Sequence, residues 1–263
     1  MKSNVVRFLA GNQGEYLSGF LLPEISKIAC SKIGDRRDAI AALNSPDVST
    51  SFALYYFAFA RAGGERAGYK NLALKMFETT KGKNFASVWP AFAELCRKAG
   101  VGANEKLNRR PIEGLMQVHH SGHFGDAGLF AGIADQVRKT GVLAKTYLEL
   151  LEVVGLGEKI SAFLLRDLVW IYDLEERVAP TDRMFLQPID VWVRRAAEAV
   201  FMRPFPERVP SLTIGHLLAE ACRQAQVSGI AFNQGAWFFG SQKVKKVDGY
   251  RKMLGELVNS TVG

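Results

Sequence analysis

Residues 151–170 read LEVVGLGEKISAFLLRDLVW, and the glycines at 155 and 157 interrupt what is otherwise a helical pattern. Upstream, apolar residues at three- and four-residue spacing predict an amphipathic helix over 142–152. Downstream, a second helix begins with Lys159 just inside it and carries Phe163, Leu164 and Val169 on its apolar side. Two helices joined by so short a turn, Gly155-Leu156-Gly157, form a hairpin. Glycine has no side chain to hold a ligand off, so the N–H groups of the turn can come close to a phosphate. A hairpin of this kind grips a DNA backbone and fixes position without reading sequence.

The rest of the chain repeats the helical period. It is legible in FLLPEISKIACSKI (20–33), SFALYYFAFARA (51–62), SVWPAFAELCRKA (87–99), AGLFAGIADQVRK (127–139) and TIGHLLAEACRQA (213–225), while alternating strand patterns are scarce. Ser51, Asp126, Ser211 and Ser228 stand where N-caps would, and Gly63-Gly64, Gly100 and Gly141 where helices would end. The expectation is ten or more helices with little or no sheet. The stretch EERVAPTDRMFLQP (175–188), with Pro180 and Pro188, has the weakest periodicity and is the best candidate for a seam between two helical lobes.

A chain of 263 residues that is 48% hydrophobic can bury a sizeable core. The first residues lack the apolar core of a secretory signal, and no uncharged run reaches the roughly 18 to 20 residues of a membrane span. A soluble, cytoplasmic protein is expected. Cys30, Cys96 and Cys222 are odd in number, far apart and free of C-x-x-C spacing, so they read as small core residues rather than a disulfide framework or metal site. His119, His120 and His123 have no accompanying carboxylate or cysteine motif, and are expected in a loop without a metal. The net charge of +8 points to a polyanionic partner, with basic pairs at Arg36-Arg37, Arg109-Arg110, Arg138-Lys139 and Arg194-Arg195 and a cluster at 243–246. Nothing matches a nucleotide-binding loop, a Ser-His-Asp hydrolase or a zinc deaminase.

The segment VVGLGEKISA (153–162) resembles the helix-hairpin-helix signature of the endonuclease III-like DNA glycosylases. In that family the lysine closing the motif is the nucleophile of the bifunctional members, and it falls here on Lys159. The segment QPIDVWVRRAA (187–197) is similar to the family's second signature, whose catalytic aspartate falls on Asp190, 31 positions after the lysine. That separation is longer than in endonuclease III itself and resembles the archaeal 8-oxoguanine glycosylase branch. FNQGAWFFG (232–240) looks like that branch's C-terminal helix, with Asn233 where the branch has an acid, then Trp237 and Gly240. Val154 stands where members often have proline. A looser likeness to the branch's N-terminal helix and glycine-rich turn covers ALYYFAFARAGGERAGYKNL (53–72).

The resemblance implies an all-α, two-lobed fold, with residues 62–180 forming a helical barrel that contains the hairpin at 142–170, and residues 1–61 with 181–263 forming the other lobe. It implies a DNA glycosylase with abasic-site lyase activity that removes 8-oxoguanine from double-stranded DNA. A monomer is expected, needing no cofactor and no membrane. An ionised Asp190 would stabilise charge on the sugar, and the Lys159 amine would attack C1′ to form a Schiff base. A neutral amine requires either burial of Lys159 or transfer of its proton to Asp190. Phe163, Asn233, Gln234 and Trp237 would line the pocket for the flipped base, aromatic faces stacking on it and amides reading its edges. Simpler roles remain open: Lys159 as a solvent-facing side chain, Asp190 as an N-cap contributing about 0.5 to 2 kcal/mol, Trp237 as core. Asp167 and Asp173 are expected to face solvent. The alternatives to the main reading are a glycosylase for another modified base, a non-catalytic hairpin protein that binds DNA, and a helical interaction protein.

Overall fold

The computed structural model describes residues 1–59, 68–80 and 83–259, and among them every regular element is a helix and none is a strand. The expected hairpin forms from the helices Ala144–Glu152 and Glu158–Ile171. Ser228 caps the helix Gly229–Phe238 by accepting from the Ala231 N–H. Gly100, at φ +70°, and Gly141, at φ +68°, end the helices before them in the left-handed conformation that glycine adopts most readily. Three of the expected caps fall elsewhere. Ser51 lies inside Pro46–Phe52, because Ser45 followed by Pro46 starts that helix a turn earlier. Ser211 is the first helical residue after Pro210, and Ala127, not Asp126, precedes Gly128–Thr140. Gly63-Gly64 and the centre of the 53–72 likeness lie outside the described residues.

Burial sorts the apolar side chains into two clusters. The larger is built on the hairpin helix Glu158–Ile171 and on Pro46–Phe52 with its π-helical continuation Ala53–Ala58. At its centre Phe52 stacks on Tyr56 at 4.9 Å between centroids and meets Phe57 and Phe130 edge-on or tilted. The smaller cluster joins Val5, Val6 and Leu9 of Ser3–Ala10 to side chains of Val191–Phe201, Ser211–Gln224, Gly229–Phe238 and Val247–Asn259.

The passage from one cluster to the other falls between Leu186 and Ile189, at the end of the 175–188 connection. The N-terminal boundary differs from the expected residue 61. Residues from Tyr16 onward belong with the hairpin cluster, because the aromatic rings at 52–57 bury against Phe130 and Phe163 rather than against the C-terminal helices. Cys96 and Cys222 are buried, whereas Cys30 is exposed at the end of the helix Leu22–Ala29. No helix among the described residues is long and apolar enough to cross a membrane.

Candidate functional site

The hairpin turn is held from beneath. Gly155 has φ +98°, and a Cβ there would stand 2.6 Å from the nitrogen of Pro111 in the helix Glu105–Ser121. One turn on, Gly114 faces the turn in the same way, with the Val154 carbonyl 2.6 Å from where its Cβ would be. Leu156 buries its side chain in the larger cluster. Gly155 is therefore glycine because of backbone conformation and packing, not because of what approaches from solvent. Gly157 differs: it has φ −88° and nothing within 4 Å of a Cβ, so its lack of a side chain leaves open space before the helix. The start of the other hairpin helix is fixed by Asp182, whose Oδ2 accepts the N–H groups of Leu143 and Ala144 at 2.7 and 3.0 Å.

Lys159 and Asp190 stand on elements packed in different clusters, yet the Lys159 charge acts on the Asp190 carboxyl. Lys159 is exposed in the first turn of Glu158–Ile171 and makes no hydrogen bond or ion pair among the described residues. Asp190 caps Val191–Phe201 through Oδ1, which accepts the N–H groups of Trp192 and Val193 at 2.9 and 3.0 Å. Its Oδ2 takes no hydrogen bond among the described residues. Burial pushes the Asp190 carboxyl above the usual carboxylate range, opposed by those two N–H groups and by the positive charges of Lys159 and Arg166. Asp190 thus performs the capping role, and its second oxygen is left to accept a proton.

Behind this pair runs a buried polar network that the sequence reading missed. Asp167, expected to face solvent, is 0% exposed, and its neighbour Arg166 is 1% exposed. Arg166 donates Nε to Asp167 Oδ1 at 2.8 Å, Nη2 to Tyr16 Oη at 2.6 Å and Nη1 to Asn233 Oδ1 at 2.9 Å. Tyr16 donates to Asp167 Oδ2 at 2.7 Å, and its hydroxyl pairs with that of Tyr56. Asn233 Nδ2 then donates to Gln187 Oε1 at 3.0 Å and to the Pro188 carbonyl at 3.4 Å. Burial works against the Arg166 charge, and Asp167, Tyr16 and Tyr56 together more than offset it, so the guanidinium stays ionised. Burial also pushes the Tyr16 and Tyr56 phenols up, keeping both neutral donors. Asp173, by contrast, is exposed and pairs with Arg36.

Two expected pocket residues belong to this network. Asn233 and Gln234 are fully buried, and the Gln234 amide is held between Asp167 Oδ1 and Gln13 Nε2. Their amides are committed within the protein and are not presented to a base edge, a correction of the sequence reading. An amide pair in an apolar helix stretch gave no sign of this, because its partners lie far away in sequence. Phe163 and Trp237 are half-buried. Phe163 stands one turn after Lys159 on the same helix, its ring 4.7 Å beneath the Arg166 guanidinium and packed on Tyr56 and Phe57. Trp237 packs against both clusters, its ring 4.9 Å from Phe20 and edge-on to Tyr16. Phe20 and Tyr56 both lie in π-helical segments, Leu17–Leu21 and Ala53–Ala58, and such segments recur at functional sites.

The basic pairs divide. Arg36, Arg109 and Arg138 are tied to Asp173, Glu105 with Glu113, and Asp135, while their neighbours Arg37, Arg110 and Lys139 are exposed and make no ion pair among the described residues. Arg194 and Arg195 are both used internally, on backbone carbonyls and on Glu198. His119 and His120 are in the last turn of Glu105–Ser121 rather than a loop, and His119 Nδ1 lies 2.8 Å from Thr50 Oγ1. Among the described residues no group of three or more His, Cys, Asp or Glu side chains could hold a metal ion. Compared with protein-family models, with curated proteins and with solved structures, the chain matches none.

Proposed function

We propose that this chain is a two-lobed helix-hairpin-helix DNA glycosylase with abasic-site lyase activity, acting on an oxidised purine such as 8-oxoguanine in double-stranded DNA. The observation that carries the reading is the pairing of Lys159, an exposed amine at the mouth of a hairpin with no ion-pair partner among the described residues, with Asp190, a half-buried carboxylate whose second oxygen takes no hydrogen bond among them. The open face at Gly157 and the exposed Arg110 and Lys139 support it, since N–H groups and cations neutralise phosphates.

On this reading Lys159 passes a proton to Asp190 and its nitrogen adds to C1′ as the base leaves with the bonding electrons and takes up a proton. Opening of the sugar ring gives the Schiff base, from which elimination of the 3′ phosphate nicks the strand. Phe163 and Trp237 offer aromatic faces to the extruded base, without the amide contacts first expected.

Borohydride trapping tests the reading. The protein should cross-link to abasic or 8-oxoguanine-containing duplex, and Lys159→Gln should abolish the adduct while binding is retained. Binding without trapping, where a control lyase traps, would leave a non-catalytic hairpin protein. Release of a different base from a lesion panel, with no 8-oxoguanine released, would move the substrate.

A further inference from the structure

Lys159 and Asp190 stand on elements that pack in different hydrophobic clusters, Ile160 beside the first in the larger and Ile189 beside the second in the smaller, so something must set the distance between them. Apolar packing is poor at this, because it has no direction; hydrogen bonds have one. The described side-chain path between the two elements runs through Arg166. It lies seven residues after Lys159, two turns along the same helix face. Its Nη1 reaches Asn233, and Asn233 Nδ2 reaches both Gln187 Oε1 and the carbonyl of Pro188, two residues before Asp190. Gln187 is held at its other end by donating Nε2 to the Gly229 carbonyl at 3.0 Å.

We propose that Arg166, Asn233 and Gln187 form a positioning relay that fixes the backbone of 187–190 against the Lys159 helix, and so sets the approach of the Asp190 carboxylate to the Lys159 amine. The proposal rests on the glycosylase reading for its chemistry and on the hydrogen bonds for its geometry. Arg166 serves through shape as well as charge: one planar guanidinium binds Asp167, Tyr16 and Asn233 at once, which an ammonium cannot do. Among the described residues, the charged or titratable groups that act on Asp190 are Lys159 and Arg166 from the hairpin helix and Tyr250 from Val247–Asn259, and the relay controls the distance of the first two.

The test uses Gln187→Met, Arg166→Lys and Arg166→Met, with two readouts: single-turnover excision on lesion duplex, and the titration of the Asp190 carboxyl by carbon NMR in free protein. Gln187→Met changes no charge and should slow excision roughly tenfold or more, with duplex affinity unchanged. Arg166→Lys should slow it similarly, and Arg166→Met, which also removes the positive charge, should move the Asp190 midpoint upward. Should Arg166→Met not fold, Gln187→Met and Arg166→Lys decide the matter. Folded Gln187→Met and Arg166→Lys proteins that excise at the wild-type rate would overturn the relay. If wild-type protein excises no lesion, the glycosylase reading fails instead; the coupling is then judged on the Asp190 midpoint, and an unmoved midpoint in a folded Arg166→Met overturns it.

Discussion

Gly155 lies directly over Pro111: a side chain at position 155 would place its Cβ 2.6 to 2.8 Å from the ring nitrogen, Cα and Cδ of that proline, in a backbone with φ +98°. Both the left-handed conformation and the contact oppose any other residue. Gly155→Ala should therefore destabilise the fold by about 2 to 4 kcal/mol, from strain in the turn and overpacking together. Gly157→Ala meets neither obstacle and should leave stability unchanged or raise it by about 0.5 kcal/mol. On the proposed function the order reverses for binding, because a methyl group at 157 stands where a phosphate would approach. Urea denaturation and duplex titration of the two variants would show this crossover, and loss of stability by both would refute it.

Asp182 ties the 175–188 connection to the hairpin by capping its first helix with one carboxylate oxygen shared between two N–H groups. Asp182→Ala leaves both unpaired in a buried place and should cost about 1 to 2 kcal/mol, measured as a fall in the urea midpoint. Asp182→Asn keeps an acceptor and should lose less.

Burial raises the Asp190 carboxyl above its unfolded value. Between about 3.9, the unfolded value, and the raised folded value, the folded chain holds more protons than the unfolded one, so stability falls as pH rises through that window. Asp190→Asn keeps an N-cap acceptor and carries no charge. Its thermal midpoint should exceed that of the wild type at pH 7, with the gap closing toward pH 3, while trapping is lost. A wild type more stable than the variant at pH 7 would contradict the raised, helix-capping carboxylate of Asp190.

Glu158, exposed in the first turn beside Lys159, suits the helix dipole but opposes a phosphate at the same end. Glu158→Gln should tighten nonspecific duplex binding roughly two- to fivefold at low salt, the equivalent of about 0.3 to 1 kcal/mol, with the difference fading as salt screens it. An unchanged affinity at low salt would place the phosphates away from this helix end.

The amino-acid sequence by itself determined the helical class, the two helices about Gly155 and Gly157, read at 142–170 and found at 144–171, and the start of the helix after Asp190. Each depends on apolar period, on glycine and on capping, which act between residues within a turn or two of each other. Tertiary structure alone decided that Arg166 and Asp167 turn inward, that Asn233 and Gln234 answer them instead of facing a pocket, and that Tyr16 joins the hairpin cluster. The partners in those bonds stand 40 to 151 positions apart in the chain. A charged pair on a helix is ordinarily placed in water, because burial is costly until complementary groups surround it. Those groups are assembled only when the two clusters close on each other, so no local pattern announces them.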